Sequence, residues 1–275
     1  MLFLIAFLGL QLPAVIGSAQ AEPQTINLVQ DSNYPPYMHL DENGPAGIYA
    51  DIIREASQRL DGYEINLKAA TWTRAIYQVE NGKAHALVGT YFRPVRRPWI
   101  RHFSTPLATE AVYVYCRKGV AQPDWAYPRD FTGLLFSNNS GFATPGAAFF
   151  ETVDAGEIDL VEEEIAQENL RLLQIGRADC YVQEQAAVES VLKAEGYDAI
   201  DRVRIVQNET AHLGYSRQWP KQDAETFIRH MDAVLKDMHT DGTISSIINN
   251  HMSNSNAPAK TSDLEKGACQ TAKPC

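Results

Sequence analysis

Four arginines crowd into "FRPVRRPWIRHFS" (92–104): Arg93, Arg96, Arg97 and Arg101. The chain around them is acidic, with a formal net charge of −10. One chemistry that such a cluster serves is anion capture. A guanidinium is planar, permanently charged, and forks onto a carboxylate through two parallel N–H donors. The alternative is a solvated basic loop, and it covers most of the four. The expectation is one inward-pointing arginine, with Arg93 and Arg101 left at the surface. Other chemistries find less support. The seven histidines form no H-x-x-x-H pair, and Cys116, Cys180, Cys269 and Cys275 lack zinc-site spacing. No metal site and no cofactor are implied.

The elements that must position such a residue follow from periodicity. "TINLVQD" (25–31) reads as a buried strand, and "NYPPYMHLDENGPAG" as a turn-rich loop. "IYADIIREASQRL" (48–60) repeats apolar residues every four positions, as a helix with one buried face does. Strand "YEINLKAAT", helix "TRAIYQVENG", strand "AHALVGTYF" and strand "AVYVYCR" (111–117) come next. A second run begins near Gly133: strand "LLFSNN", turn "SGFATPG", a helix at 146–152, strand "IDLVEE", helix "AQENLRLLQIGR", strand "DCYVQE" and helix "QAAVESVLKAEG". Strands "VRIVQ" and "AHLGYSR" precede helices at 223–239 and 243–250. Alternating strands and helices imply an α/β fold with parallel strands and crossover helices. Ligands of such sheets sit beyond the carboxyl ends of the strands. Asp31, Trp72 and Thr90 all lie there.

The flanks carry further information. Residues 2–16 are almost wholly apolar and lead to Ala19-Gln20-Ala21, the pattern of a signal peptide (1–21) cleaved after Ala21. The run is shorter than the roughly 20 residues of a bilayer span, and no Lys or Arg precedes it. Export to an oxidising compartment permits disulfides. Four cysteines allow three connectivities. The expectation is Cys269 with Cys275, leaving Cys116 and Cys180 as a second bridge or as two buried thiols. The acidic balance excludes nucleic acid as a partner. Residues 252–275 lack periodicity and read as a disordered tail.

Five stretches, "DSNYPPYMHLDENGPAGIYADIIREASQRL", "TWTRAIYQVENGKAHALVG", "RRPWIRHFSTPL", "ENLRLLQIGRADCYV" and "VLKDMHTDGTISSIINNH", resemble in order and spacing the family 3 bacterial extracellular solute-binding proteins, the periplasmic components of polar amino acid uptake systems. The resemblance spans about residues 24–251. It implies a two-lobed periplasmic-binding-protein fold with a central ligand cleft and two crossing hinge strands, "VYVYCRK" and "HLGYSRQ". Lobe 1 would be 24–115 plus 214–251, and lobe 2 would be 116–213.

Carried onto this chain, the resemblance makes Arg97 the carboxylate clamp, six residues before Phe103-Ser104, with Arg96 as the substitute if the loop shifts by one. Asp31 and Tyr34 would meet the ligand at the first strand end, with Tyr37 structural. Trp72 would be a second aromatic wall, and Thr90 a contact through backbone and hydroxyl. Glu184 stands where the family has the aspartate partner of an ammonium group. Ala143 and Thr144 would offer backbone N–H groups. One position departs from the pattern: Phe92 replaces the Ser or Thr that receives the ammonium. Structural alternatives stand beside these roles, a cap for Asp31, core packing for Tyr34 and Trp72, and a helix-start acid for Glu184.

The function so implied is a monomeric periplasmic protein that performs no chemistry. It would capture a small amino-acid-like zwitterion for an ABC permease. Two alternatives remain. One is an enzyme like the cyclohexadienyl dehydratases, with Glu184 as general acid. The other is a binding protein that serves a membrane sensor.

Overall fold

The computed structural model describes residues 22–256. The expected signal peptide and the Cys269–Cys275 pairing lie outside the described residues. The chain opens with β1 (Gln24–Asp31), followed by a three-stranded meander of β2 (Asn33–Tyr34), β3 (Met38–Asp41) and β4 (Gly44–Ala46). This segment was expected to be a loop. Its strands are two to four residues long, too short for alternation to announce them. Helix α1 (Ile48–Gln58), β5 (Tyr63–Ala70), α2 (Trp72–Glu80) and β6 (Ala86–Tyr91) complete the first parallel unit. β1 lies between β5 and β6, parallel to both. Ile48, Ile52, Ile53 and Ala56 form the buried stripe of α1, where the four-residue spacing had put it.

After the arginine loop come β7 (Ile100–Phe103) and β8 (Ala108–Arg117). The second unit holds β9 (Leu135–Asn139), α3 (Ala147–Asp154), β10 (Asp159–Glu163), α4 (Ala166–Gln174), β11 (Cys180–Glu184) and α5 (Gln185–Glu195). β9 is parallel to β10 and β11. The chain returns through β12 (Ile200–Ser216) and closes with α6 (Lys221–Thr240) and α7 (Thr243–Asn256) against α1. The final helix thus runs five residues past His251, where periodicity faded because the sequence turns polar.

Two strands join the halves of this two-lobed fold. The sheet order is β10-β9-β11-β8-β12-β6-β1-β5, with β7 also on β12. β8 and β12 pair antiparallel from Ala108↔Ala211 to Arg117↔Ile200. The sequence suggests two strands here, split by polar Asn208-Glu209-Thr210, but β12 is one strand. The ladder continues through that stretch opposite Thr109–Ala111. Tertiary pairing satisfies the backbone there, whatever the side chains. Cys116 and Cys180 face each other across β8 and β11, Cα–Cα 4.0 Å, and form a disulfide. That decides between the bridge and the two thiols.

Candidate functional site

The arginine loop sorts its four cations. Arg97 N–H donates to the Arg93 carbonyl (2.9 Å) and Ile100 N–H to the Arg97 carbonyl (3.0 Å), a turn that aims Arg97 inward. Arg96 stays exposed, its guanidinium 3.7 Å from the Phe150 ring centre. Arg101 donates to the carbonyls of Arg217 (2.8 Å) and Trp219 (2.9 Å). Arg93 forks onto Glu209 of β12, with Nη1–Oε2 at 3.0 Å and Nη2 on Oε1. Arg93 and Arg101 are therefore tied into the fold, contrary to the surface expectation, because acceptors on the returning chain reach the loop.

Arg97 is different. It is 5% exposed, packs over Trp72 (5.2 Å) and Trp99 (5.9 Å), and makes no ion pair among the described residues. Its Nε lacks a hydrogen-bond partner. Burial, then the neighbouring Arg93 and Arg96, lower its pKa to about 10, so it remains a cation at neutral pH. A buried, unpaired guanidinium is costly. The fold has placed one where it faces a cavity between the two halves.

That cavity is lined from the first half by Tyr34, Met38, Trp72, Gly89, Tyr91 and Arg97, and from the second by Phe142, Ala143 and Thr144. Trp72 opens α2, and its Nε1–H reaches across to the Gly141 carbonyl (3.2 Å). Phe142 stands between Trp72 (ring centres 5.2 Å) and Tyr34 (5.5 Å). The remaining space is ≈ 20 Å³, enough for about one water molecule. A solute needs Phe142 to swing away or the halves to part. Gly89 has φ +80, and a Cβ there would lie 2.7 Å from Met38 Cε. Only glycine fits this wall. The N–H groups of Ala143 and Thr144, just before α3, donate to no other group among the described residues. Both residues line the cavity that Arg97 also lines.

Behind the cavity lies a residue that sequence reading missed. Glu110 of β8 is 1% exposed and accepts hydrogen bonds from Tyr34 (2.9 Å), Tyr49 and Tyr91. Burial first, then nearby Glu184, raise its pKa. A signal existed: Glu110 shares the buried face of "ATEAVYVYC" with Val112, Val114 and Cys116. A charge on that face asks for partners. From Tyr34 the network continues into the second half, through Gln183 (3.3 Å), Tyr181 (3.0 Å) and Asn139.

The other expected residues stand apart from the cavity. Asp31 accepts from Asn33 N–H (3.0 Å) and bends its own turn. Burial raises its pKa to about 6, and Glu164 across the cleft adds to this. Thr90 Oγ1 donates to the Tyr91 carbonyl (3.3 Å), and its methyl faces Gly214. Strand alternation turns Gly89 and Tyr91 to the cavity and Thr90 away. Glu184 caps α5, accepting from Ala187 N–H (2.9 Å), and lines a separate groove with Gln185, Ser190 and Lys193. Burial raises its pKa. Phe92 is 55% exposed, its ring against Phe103 (4.9 Å). The structure thus brings Tyr34, Trp72, Arg97, Ala143 and Thr144 together, and leaves the side chains of Asp31, Thr90 and Glu184 outside. Among the described residues no His, Cys, Asp or Glu cluster is arranged to hold a metal, and no helix is long and apolar enough to cross a membrane.

Comparison with known proteins bears on this arrangement. A family model described as bacterial extracellular solute-binding proteins, family 3, matches residues 26–254. A search of curated proteins finds no match to the sequence. Among solved structures, a histidine kinase sensor domain with similarity to periplasmic binding proteins superposes with TM-score 0.72 at 18% identity, covering 84% of this chain and 97% of that one. An ancestral arginine-binding protein bound to arginine gives TM-score 0.69 at 18% identity, with 84% and 99% covered. An ancestral amino acid-binding protein, a precursor of cyclohexadienyl dehydratase, gives 0.64 at 19% identity, with 82% and 94% covered. At such identities these likenesses speak to the fold.

Proposed function

Because the chain belongs to the bacterial extracellular solute-binding proteins of family 3, we propose that it captures a small solute bearing a carboxylate, of amino-acid size, between its two halves. The observation that carries this reading is Arg97: a cation 5% exposed, without a carboxylate partner, facing a cavity at the junction. Ala143 and Thr144, in the turn before α3, line the cavity from the other half, and their N–H groups lack partners among the described residues. A carboxylate held by both sides is bound better when the halves are closed. Ligand thereby shifts an open–closed equilibrium towards the closed form.

On this reading the lobes divide as expected from the sequence, 24–115 with 214–251 against 116–213. The chain is exported to the periplasm with cleavage after Ala21 and acts as a monomer. The closed form is what a membrane partner recognises, an ABC permease or, as the likeness to a kinase sensor domain supports, a sensor. The zwitterion of the sequence-based expectation needs an acceptor for its ammonium; Glu184 caps α5 beside another groove, and Phe92 stands where the family has a Ser or Thr.

An enzymatic reading draws on the raised pKa of Glu184. Its carboxylate is committed to the α5 N-terminus and to Tyr37, so the binder is favoured. Incubation with prephenate and arogenate should leave both unchanged; turnover abolished in Glu184→Gln would overturn the binder.

Calorimetry tests the main proposal. Arg97→Ala should weaken binding of any carboxylate solute by about a hundredfold or more, since an unpaired buried charge costs about 3–5 kcal/mol. Arg97→Lys should fail nearly as badly, because an ammonium cannot reproduce the fork. Undiminished binding in both variants would remove Arg97 from the site and the proposal with it.

A further inference from the structure

The charge balance of the cavity is one-sided. Among the described residues that line it, Arg97 is the single charged side chain; the others are aromatic, aliphatic or neutral. No carboxylate lines the cavity, and the buried ones near it have partners of their own. Asp31 accepts N–H groups of its own turn. Glu110 is enclosed by the hydroxyls of Tyr34, Tyr49 and Tyr91. Glu184 caps α5 and bonds Tyr37, behind the tyrosine wall and beside another groove. Glu162 lines an adjoining groove shared with Arg97, Phe142 and Ala143, at 3.3 Å from Asn138 Nδ2. The Thr90 hydroxyl points to a backbone carbonyl, and Phe92 is turned outward.

The tyrosines sharpen this. Tyr34 and Tyr91 send their hydroxyls to Glu110, so their rings present apolar surface to the cavity. With Trp72 and Phe142 they form an aromatic enclosure closed at one end by a guanidinium. An ammonium there would meet aromatic faces but no carboxylate among the cavity-lining residues, beside a guanidinium of like charge, and burying a charge without an anionic partner is unfavourable. A flat apolar body is favoured by the same walls.

Building on the carboxylate reading above, we propose that the solute is a small monocarboxylate with an apolar body and no ammonium group. Arg97 and the Ala143 and Thr144 N–H groups hold the carboxylate, and the body takes the place between Tyr34 and Trp72 that Phe142 occupies.

The test is calorimetric titration of the full mature chain with matched pairs: 3-phenylpropanoate against L-phenylalanine, 4-methylpentanoate against L-leucine, and propanoate against L-alanine. In at least one pair the carboxylate without the amine should bind tenfold or more tightly than the amino acid, and Arg97→Met should abolish that binding. Equal or tighter binding of the amino acids, lost in Arg97→Met, would overturn this inference and leave the carboxylate reading standing. An amino acid preference that disappears in Glu162→Gln would do the same and identify Glu162 as the ammonium acceptor. Binding that survives Arg97→Met, or silence of all six probes at millimolar concentration, would overturn both.

Discussion

On the proposed reading, Arg97 sets stability against function at a single position. Its guanidinium is buried and unpaired, so removing it should help the ligand-free fold. Arg97→Met replaces the charged end with a shorter, unbranched apolar side chain, at the loss of the guanidinium's contact with Trp72. It should raise unfolding free energy by about 1–3 kcal/mol while abolishing binding. Arg93→Ala should do the opposite. It leaves the mostly buried Glu209, whose side chain is 8% exposed, without its cation and with Gln207 Nε2 as remaining donor, at a cost of about 3 kcal/mol. Urea unfolding of the two variants checks both signs. Asp31 makes a pH prediction. Its folded pKa of about 6 stands above the ordinary 3.8, so the fold binds this proton more tightly than the unfolded chain does. The contribution is complete below the unfolded value and is lost as pH rises through about 6. Asp31→Asn keeps an acceptor for the Asn33 N–H without the titration. Between about pH 4 and 7 it should gain roughly 3 kcal/mol relative to wild type; parallel stability profiles would refute this.

At the scale of elements, the two shared strands deserve the most mechanical weight. β8 carries the disulfide partner Cys116, the buried Glu110 and the pairing with both β11 and β12. The disulfide closes a loop of sequence separation 64. Loop-closure entropy for that span is worth roughly 4 kcal/mol. Cys116→Ser with Cys180→Ser should lower stability by about 2–4 kcal/mol, with the melting temperature as the readout. Both cysteines are fully buried, so a mild reductant should leave the native protein intact and act only once it unfolds. Gly89 shows how close the elements approach. A side chain at this position of β6 would meet Met38 and Tyr49 and intrude on the cavity wall.

For the whole molecule, the cavity of ≈ 20 Å³ and the lobe-to-lobe contacts imply that capture involves relative movement of the halves. Trp72 to Gly141, Tyr34 to Gln183 and Arg96 over Phe150 all cross the junction. Phe142 holds the space that the proposed ligand needs, so Phe142→Ala should admit bulkier carboxylates than the native protein does. A ligand at a hundred times its dissociation constant adds about 2.7 kcal/mol of stability, or roughly 5–10 °C in melting temperature for a chain of this size. Thermal-shift profiles of wild type and Phe142→Ala against carboxylates of increasing size check this; an identical size preference would show that Phe142 does not define the pocket.

Most of the α/β alternation was legible in the chain itself. Repeats of two and four in "TINLVQD", "IYADIIREASQRL" and "DCYVQE" follow from burying one face, and the pieces resembling a family fell in order. The resemblance pointed to Arg97 within its loop, with Arg96 as the substitute. The structure then decided what spacing cannot. It selected Arg97 over Arg96 by a turn, and joined "VRIVQ" to "AHLGYSR" through strand pairing. It turned Thr90 and Glu184 away from the cavity by strand alternation and helix capping. Glu110 lies 76 residues from Tyr34 and 61 from Tyr49, so no local pattern could associate them. A residue's neighbours across a sheet or between lobes are set by the packing of distant segments, and those neighbours determine which polar groups remain free to meet a solute.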